Sequence, residues 1–253
     1  MALCESYALT GDAGLKGSAQ RAIRYIQRSQ NPAGGWRYEP QAPGDTSVFG
    51  WMIFALRSAN LAGLDVSSKD IARCQRYLNR AAYDKSKVTY CYMPGYPPSM
   101  SMTAEGLVCR QYLGWPKDHP ALLRGSGLLS GYLEQSPERN IYLWYYATQL
   151  LHNMHDKSWE AWNSRVRDGL VGLQIRGDGC DRGSWSPLVP QVDKWGSKGG
   201  RLYTTSLSIL TLEVYYRYLP LYEDRGGAIE GKDASEVQAL AEEQEPKDAR
   251  QQP

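Results

Sequence analysis

The chain has 253 residues and a formal net charge of +2, with 42% hydrophobic and 22% charged residues. That supplies apolar material for a real core in one large domain or two small ones. The charge is too balanced, and its Lys and Arg too scattered along helical faces, to mark nucleic acid as a partner. Five cysteines stand at 4, 74, 91, 109 and 180. An odd number with no C-x-x-C pair indicates neither a disulfide framework nor a zinc ribbon. Cys74 and Cys109 fall among apolar helical positions and read as small core residues. No apolar run reaches the ~18 residues of a membrane span, and no signal-peptide pattern follows Met1.

In chain order, 2–9 reads as a short apolar helix. Over 15–28, Leu15, Ala19, Ala22, Ile23 and Ile26 share one face, with Lys16, Gln20, Arg21, Arg24 and Gln27 opposite. That period predicts an amphipathic helix on the surface. The ranges 68–82, 120–134 and 158–174 repeat the design. Between them lie runs of another kind. Residues 46–61 carry Val48, Phe49, Trp51, Met52, Ile53, Phe54, Ala55 and Leu56, apolar almost all round. The ranges 102–113, 140–154 and 202–219 are similar. A helix with no polar face is a buried helix. The sequence thus predicts four outer–inner helix pairs behind one leading inner helix, a helical-hairpin repeat.

The links alternate as well. Inner-to-outer links (10–14, 62–67, 114–119, 155–157) are short. Three outer-to-inner links (29–45, 83–101, 175–201) are long. In antiparallel hairpins, links of one kind share one end. The long loops should therefore gather Trp36, Tyr38, Tyr90, Tyr92, Tyr96, Trp185 and Trp195 on one face, the natural place for function. The 18 Tyr and 8 Trp against 2 Phe suit such a face, although plain packing between helices is the commoner use of these residues. From Glu223 onward the charge is −5, leaving about +7 on 1–222. Residues 223–253 read as a disordered acidic tail, with a weak helix over Ala234–Glu243.

The stretch Gln30-Asn31-Pro32-Ala33-Gly34-Gly35-Trp36 resembles the QW motif of squalene–hopene cyclases and the related prenyltransferase/squalene-oxidase repeats. Further segments are similar to a bacterial branch of that superfamily. They are Gly44-Asp45-Thr46-Ser47-Val48, Met102-Thr103-Ala104, Trp144-Tyr145-Tyr146-Ala147-Thr148-Gln149, Gly183-Ser184-Trp185 and 211–220. The resemblance implies an all-α fold, an α/α toroid of inner helices around a cavity with outer helices around them, over 1–222. It implies that Gln30 ties a helix end to the next hairpin while Trp36 stacks on it. Orphan carbonyls at the end of helix 15–28 need donors, and a Gln amide supplies two. Gln174 and Trp185 form a second candidate pair with extra residues between them. Superfamily toroids close with about six hairpins. Four hairpins and a leading half therefore imply missing N-terminal hairpins or an oligomer.

The chemistry of the superfamily does not carry over. Hopene-type cyclases use a protonated acid in D-x-D-D-T, where this chain has Ala42-Pro43-Gly44-Asp45-Thr46. Asp45 is expected to be an N-cap instead. Prenyltransferases hold zinc with D-x-C and a later His. Asp178-Gly179-Cys180 has the first half, but His119, His152 and His155 all lie upstream. The C-G-E-Q of thioester domains is absent. Glu105 and Glu213 are the inner-helix acids that stand out; each reads first as a buried, hydrogen-bonded glutamate and second as a pocket acid. The expectation is therefore a non-catalytic binding or scaffold domain for a lipid, glycan or protein, with no metal or cofactor. The alternative is an enzyme of the terpenoid cyclase/prenyltransferase-like superfamily acting on an isoprenoid or polysaccharide.

Overall fold

A computed structural model describes residues 1–136, 138–217 and 229. The described residues are all-helical, with no strand among them. The helices are α1 (Ala2–Thr10), α2 (Ala13–Ser29), α3 (Thr46–Leu61), α4 (Ser68–Ala81) and α5 (Met100–Tyr112). They continue with α6 (Pro120–Gln135), α7 (Ile141–Met154), α8 (Lys157–Leu173), α9 (Gly196–Leu212) and α10 (Val214–Arg217). The expected tail lies outside the described residues apart from Ile229. That residue is buried, and its backbone N–H donates to the Tyr112 carbonyl at 2.9 Å.

Local chemistry sets most of the helix starts. Asp45 accepts the Val48 N–H at 2.8 Å, Ser99 the Met102 N–H at 3.3 Å, and Asn140 the Leu143 N–H at 3.0 Å. These side chains occupy donors that a helix start leaves unpaired. Asp45 is thus the N-cap of α3. Two layers follow from burial. α3, α5 and α7 are buried nearly all round, whereas α2, α6 and α8 bury one face. In the inner layer α1 packs on α3, α3 on α5, α5 on α7 and α7 on α9. The outer helices lie against it, α2 on α1 and α3, α4 on α5, α6 on α5 and α7, and α8 on α7 and α9. The two ends of the inner series differ from its middle. Leu9 on α1 and Leu202 on α9 are exposed, and α9 is kinked at Gly200. The expectation that 202–219 is apolar and buried on all sides fails at Leu202, Ile209, Tyr215 and Tyr216, which are exposed, and its last two positions lie outside the described residues.

The space between the middle inner helices is filled with rings. Trp51 stacks on Tyr145 at 5.6 Å, and Phe54 meets Tyr112 at 5.0 Å and Tyr146 at 5.7 Å. Tyr77, Tyr90, Tyr112, Tyr145 and Tyr146 are buried core residues, so part of the unusual tyrosine content is packing.

Two corners repeat one bonding scheme. After α2, the Gln30 amide donates to the Gly34 carbonyl at 3.0 Å, and the Trp36 indole donates to the Ile26 carbonyl at 2.7 Å. After α8, the Gln174 amide donates to the Gly183 carbonyl at 3.0 Å, and the Trp185 indole to the Leu170 carbonyl at 2.7 Å. In both, the indole reaches the carbonyl four residues before the glutamine. Gln30 makes the expected join to the next hairpin, reaching across to α4, where it donates to the Asp70 carbonyl at 3.2 Å and accepts from Arg73 Nε at 2.8 Å. The helix-end carbonyl expected to take its amide is served by Trp36 instead. The other end carbonyls of α2 have partners too: Gln27 takes the Gln30 N–H, Arg28 the Gln41 amide and Ser29 the Gln41 N–H. Gly34 is required at its corner. Its φ is +91°, and a Cβ there would lie 1.9 Å from the Arg73 carbonyl oxygen.

Candidate functional site

The three long loops meet at the N-terminal ends of the inner helices. There they enclose a cavity of about 490 Å³, within the roughly 300–1,000 Å³ usual for small-molecule sites. Tyr38 comes from the first loop, Tyr92 and Ser99 from the second, and Lys194 and Trp195 from the third. Ser47, Ser101 and Tyr142 line it from the second positions of α3, α5 and α7. These three share one level because each inner helix starts at the same end of the layer. Met100, Met102, Tyr132, Glu138 and Asn140 complete the wall.

Among the described lining residues the only charges are Glu138 and Lys194, and they pair at 3.2 Å. The remaining polar groups are hydroxyls and an amide. The Asn140 amide donates to Ser101 at 3.3 Å. The Tyr142 hydroxyl lies 3.1 Å from Ser47 Oγ and 3.0 Å from Glu105 Oε2. Glu105 itself is fully buried on α5, behind Tyr142. Loss of water drives its pKa well above the usual carboxylate range, and the nearby Asp45 charge adds to the rise. The Tyr142 and Tyr146 hydroxyls act in the opposite direction and do not outweigh it. Burial therefore favours the protonated, neutral form of Glu105. Its Oε1 has no hydrogen-bond partner and packs against Gly50 of α3, where a Cβ would come within 2.0 Å of it. Burial likewise raises Tyr142 well above the phenol range, with Glu105 contributing, so Tyr142 stays a protonated phenol.

Of the aromatic residues expected on this face, Tyr38, Tyr92 and Trp195 line the cavity. Trp36, Tyr90 and Trp185 are buried structural plugs. Trp36 and Trp185 have their indoles committed to helix ends, and Trp36 also packs 5.7 Å from Phe49. The Tyr90 hydroxyl accepts from Arg110 Nε at 3.0 Å, and its ring fills the space left by Gly106. Tyr96 is exposed and lies away from the cavity wall. Glu213 caps the end of α9 remote from Trp195 and takes no part in the site. Asp178 and Cys180 sit in an exposed loop, while His152 packs 5.1 Å from the Trp159 ring and is buried. Among the described residues no three His, Cys, Asp or Glu side chains come together as a metal site. No described helix is long and apolar enough to cross a membrane.

Ser47, Ser101, Tyr132, Asn140, Tyr142 and Lys194 were not anticipated from the sequence. The signal for three of them was available. Residues in the first turn of each inner helix must share the end where the long loops gather. Comparison with protein families, curated proteins and solved structures finds no match to this chain.

Proposed function

We propose that this protein is a non-catalytic binding module of the squalene cyclase/prenyltransferase-like type, an arc of an α/α toroid that holds its ligand in the loop-face cavity. The observation that carries the reading is the convergence of three separate loops and three inner-helix starts on one aromatic-lined cavity. The succession of inner helices with outer helices laid against them supports the arc, as does the paired glutamine–tryptophan chemistry of the two corners. The exposed apolar residues of α1 and α9 suit edges that a further copy or hairpin would cover. The ring-filled centre speaks against a deep isoprenoid chamber, because Trp51, Phe54, Tyr112, Tyr145 and Tyr146 occupy that space. Asp45 serves as an N-cap, so the position of the cyclase acid is taken by a structural role.

The test is a ligand screen by thermal shift and tryptophan fluorescence on the wild type and on Trp195→Ala. A ligand at 100 times its dissociation constant stabilises by about 2.7 kcal/mol, a readily measured shift. The reading expects a hit whose effect disappears in Trp195→Ala. A hit that is indifferent to Trp195, Tyr38 and Tyr92 would remove the cavity from the account.

One observation favours an enzyme: Glu105, whose burial favours its protonated form, communicates with the cavity through Tyr142. Turnover of squalene, a prenyl diphosphate or a polysaccharide that stops in Glu105→Gln would establish that alternative. Full ligand binding in Glu105→Gln with no turnover in either protein would refute it.

A further inference from the structure

We infer that the cavity takes a neutral saccharide, with sugar faces set against Trp195 and Tyr38 and sugar hydroxyls bonded to Ser47, Ser101 and Asn140. This rests on the binding reading and narrows it to a ligand class.

Three features of the wall carry the inference. The first is its mixture of flat apolar rings with hydroxyl and amide groups. Tyr38, Tyr92, Tyr132, Tyr142 and Trp195 supply rings. A pyranose presents a C–H face that matches such rings and a rim of hydroxyls that does not. Each serine hydroxyl has one donor and two acceptor sites, and the Asn140 amide has two donors. The bonds they make to each other leave capacity unused. A hydrocarbon ligand would strip water from these groups and return nothing, at about 1–3 kcal/mol for each group left unpaired. A saccharide returns hydrogen bonds in kind.

The second feature is charge. Lys194 is paired with Glu138, and among the described residues no other cation lines the cavity. A phosphate, diphosphate or carboxylate ligand would have to compete with Glu138 for the one described lining cation; another described cation nearby, Lys198, lies outside the wall on the Trp195 ring at 5.8 Å. The third is the hydroxyl chain. Glu105, Tyr142 and Ser47 are linked in series at 3.0 and 3.1 Å. All three are hydrogen-bond donors in their neutral forms, so the chain can direct a donor outward at Ser47 or turn to accept one. That two-way capacity fits a sugar hydroxyl, which both donates and accepts. The size suits a mono- or disaccharide unit, including one inside a longer chain, because the cavity opens on the loop face.

The full-length protein is titrated by calorimetry and saturation-transfer NMR with cellobiose, maltose, xylobiose, mannobiose and chitobiose. Glucuronate, inorganic phosphate and farnesol are titrated in parallel. At least one neutral disaccharide should bind saturably. Trp195→Ala should weaken it tenfold or more, and Ser47→Ala about three- to tenfold, as expected for one hydrogen bond in a binding site. Both variants are checked by circular dichroism, and both change partly exposed side chains. Farnesol or an anion binding in a Trp195-dependent way, with no disaccharide bound, overturns the saccharide inference and leaves the binding module standing. Disaccharide binding unaffected by both variants places the sugar elsewhere and overturns it as well. No binding by any probe counts against both readings.

Discussion

The corner after α2 and the corner after α8 make the same two bonds with different surroundings. Gly34 stands four positions after Gln30, and Gly183 nine positions after Gln174, yet both glutamine-to-glycine bonds are 3.0 Å and both indole bonds are 2.7 Å. The extra loop residues leave the bonding partners in place because an isolated bridge between Gln174 and Trp185 returns the chain to register. What changes is the third partner. Gln30 is buried and reaches Asp70, Arg73 and Cys74 on α4. Among the described residues no further outer helix follows α8, and Gln174 is left partly exposed with its local bond. The tryptophan is therefore the part of the motif that finishes a helix, and the glutamine is the part that joins one hairpin to the next.

That division can be broken most sharply at the glycines. Gly34→Ala puts a methyl group into the Arg73 carbonyl and should cost more than about 4 kcal/mol, enough to abolish folding in a marginal domain. Gly183 also has positive φ, at +81°, but nothing lies within 4 Å of its virtual Cβ. Gly183→Ala should therefore cost only the backbone strain, about 1 kcal/mol. Urea denaturation of the pair reads the difference, and equal costs would mean that the two corners are equally packed.

The glutamines come next. Gln30→Ala removes a buried group and leaves Arg73 Nε and two carbonyls without that partner, a loss of about 2–3 kcal/mol. Gln174→Ala should cost under about 1 kcal/mol, since water replaces its one bond. A loss at Gln174 as large as that at Gln30 would contradict the joining role.

The tryptophans should behave alike. Trp36→Phe and Trp185→Phe each remove an indole donor from a helix-end carbonyl, with an expected cost of about 1–3 kcal/mol at both sites. Unequal values from matched denaturation curves would show that the shared bond length hides different energetics.

A further effect concerns pH. A folded-state pKa raised above the unfolded value near 4.3 means that the folded chain holds a proton the unfolded chain has released. The unfolded state then binds fewer protons, so Glu105 subtracts stability as pH rises from about 4.3 toward its raised folded pKa. Glu105→Gln should flatten that part of the stability curve, with the variant gaining on the wild type between pH 4 and 7. Parallel curves would mean that Glu105 is ionised in the folded protein. Neither corner contains Glu105, so corner variants should leave this slope unchanged.

The fold was legible in the sequence to the extent that two patterns differed. Amphipathic runs such as 15–28 marked outer helices and uniformly apolar runs such as 46–61 marked inner ones, because burial on one side and on all sides leave different residues free to be polar. Asp45 was legible as a cap for the same local reason. The site was less so. Link lengths located the loop face, but composition could not separate Trp36, Tyr90 and Trp185, which fill gaps behind the loops, from Tyr38, Tyr92 and Trp195, which face the cavity. Side-chain direction in an irregular loop depends on tertiary packing that no short-range period records. The resemblance implied that Gln30 ties to the next hairpin, but its partners on α4, 40 and more residues away, leave no local trace, and Trp36 was not read as the donor to the end of α2.

The close fit of Gly50 to Glu105 sets a rule for recognising kin of this chain. Any side chain at position 50 would occupy the volume of the Glu105 carboxyl, on a different helix and 55 positions away. Sequences that carry alanine or serine at the first position should carry a shorter residue at the second. Joint variation at these two columns would identify descendants that keep the arrangement of α3 against α5 while giving up the buried acid, and with it the hydroxyl chain to the cavity.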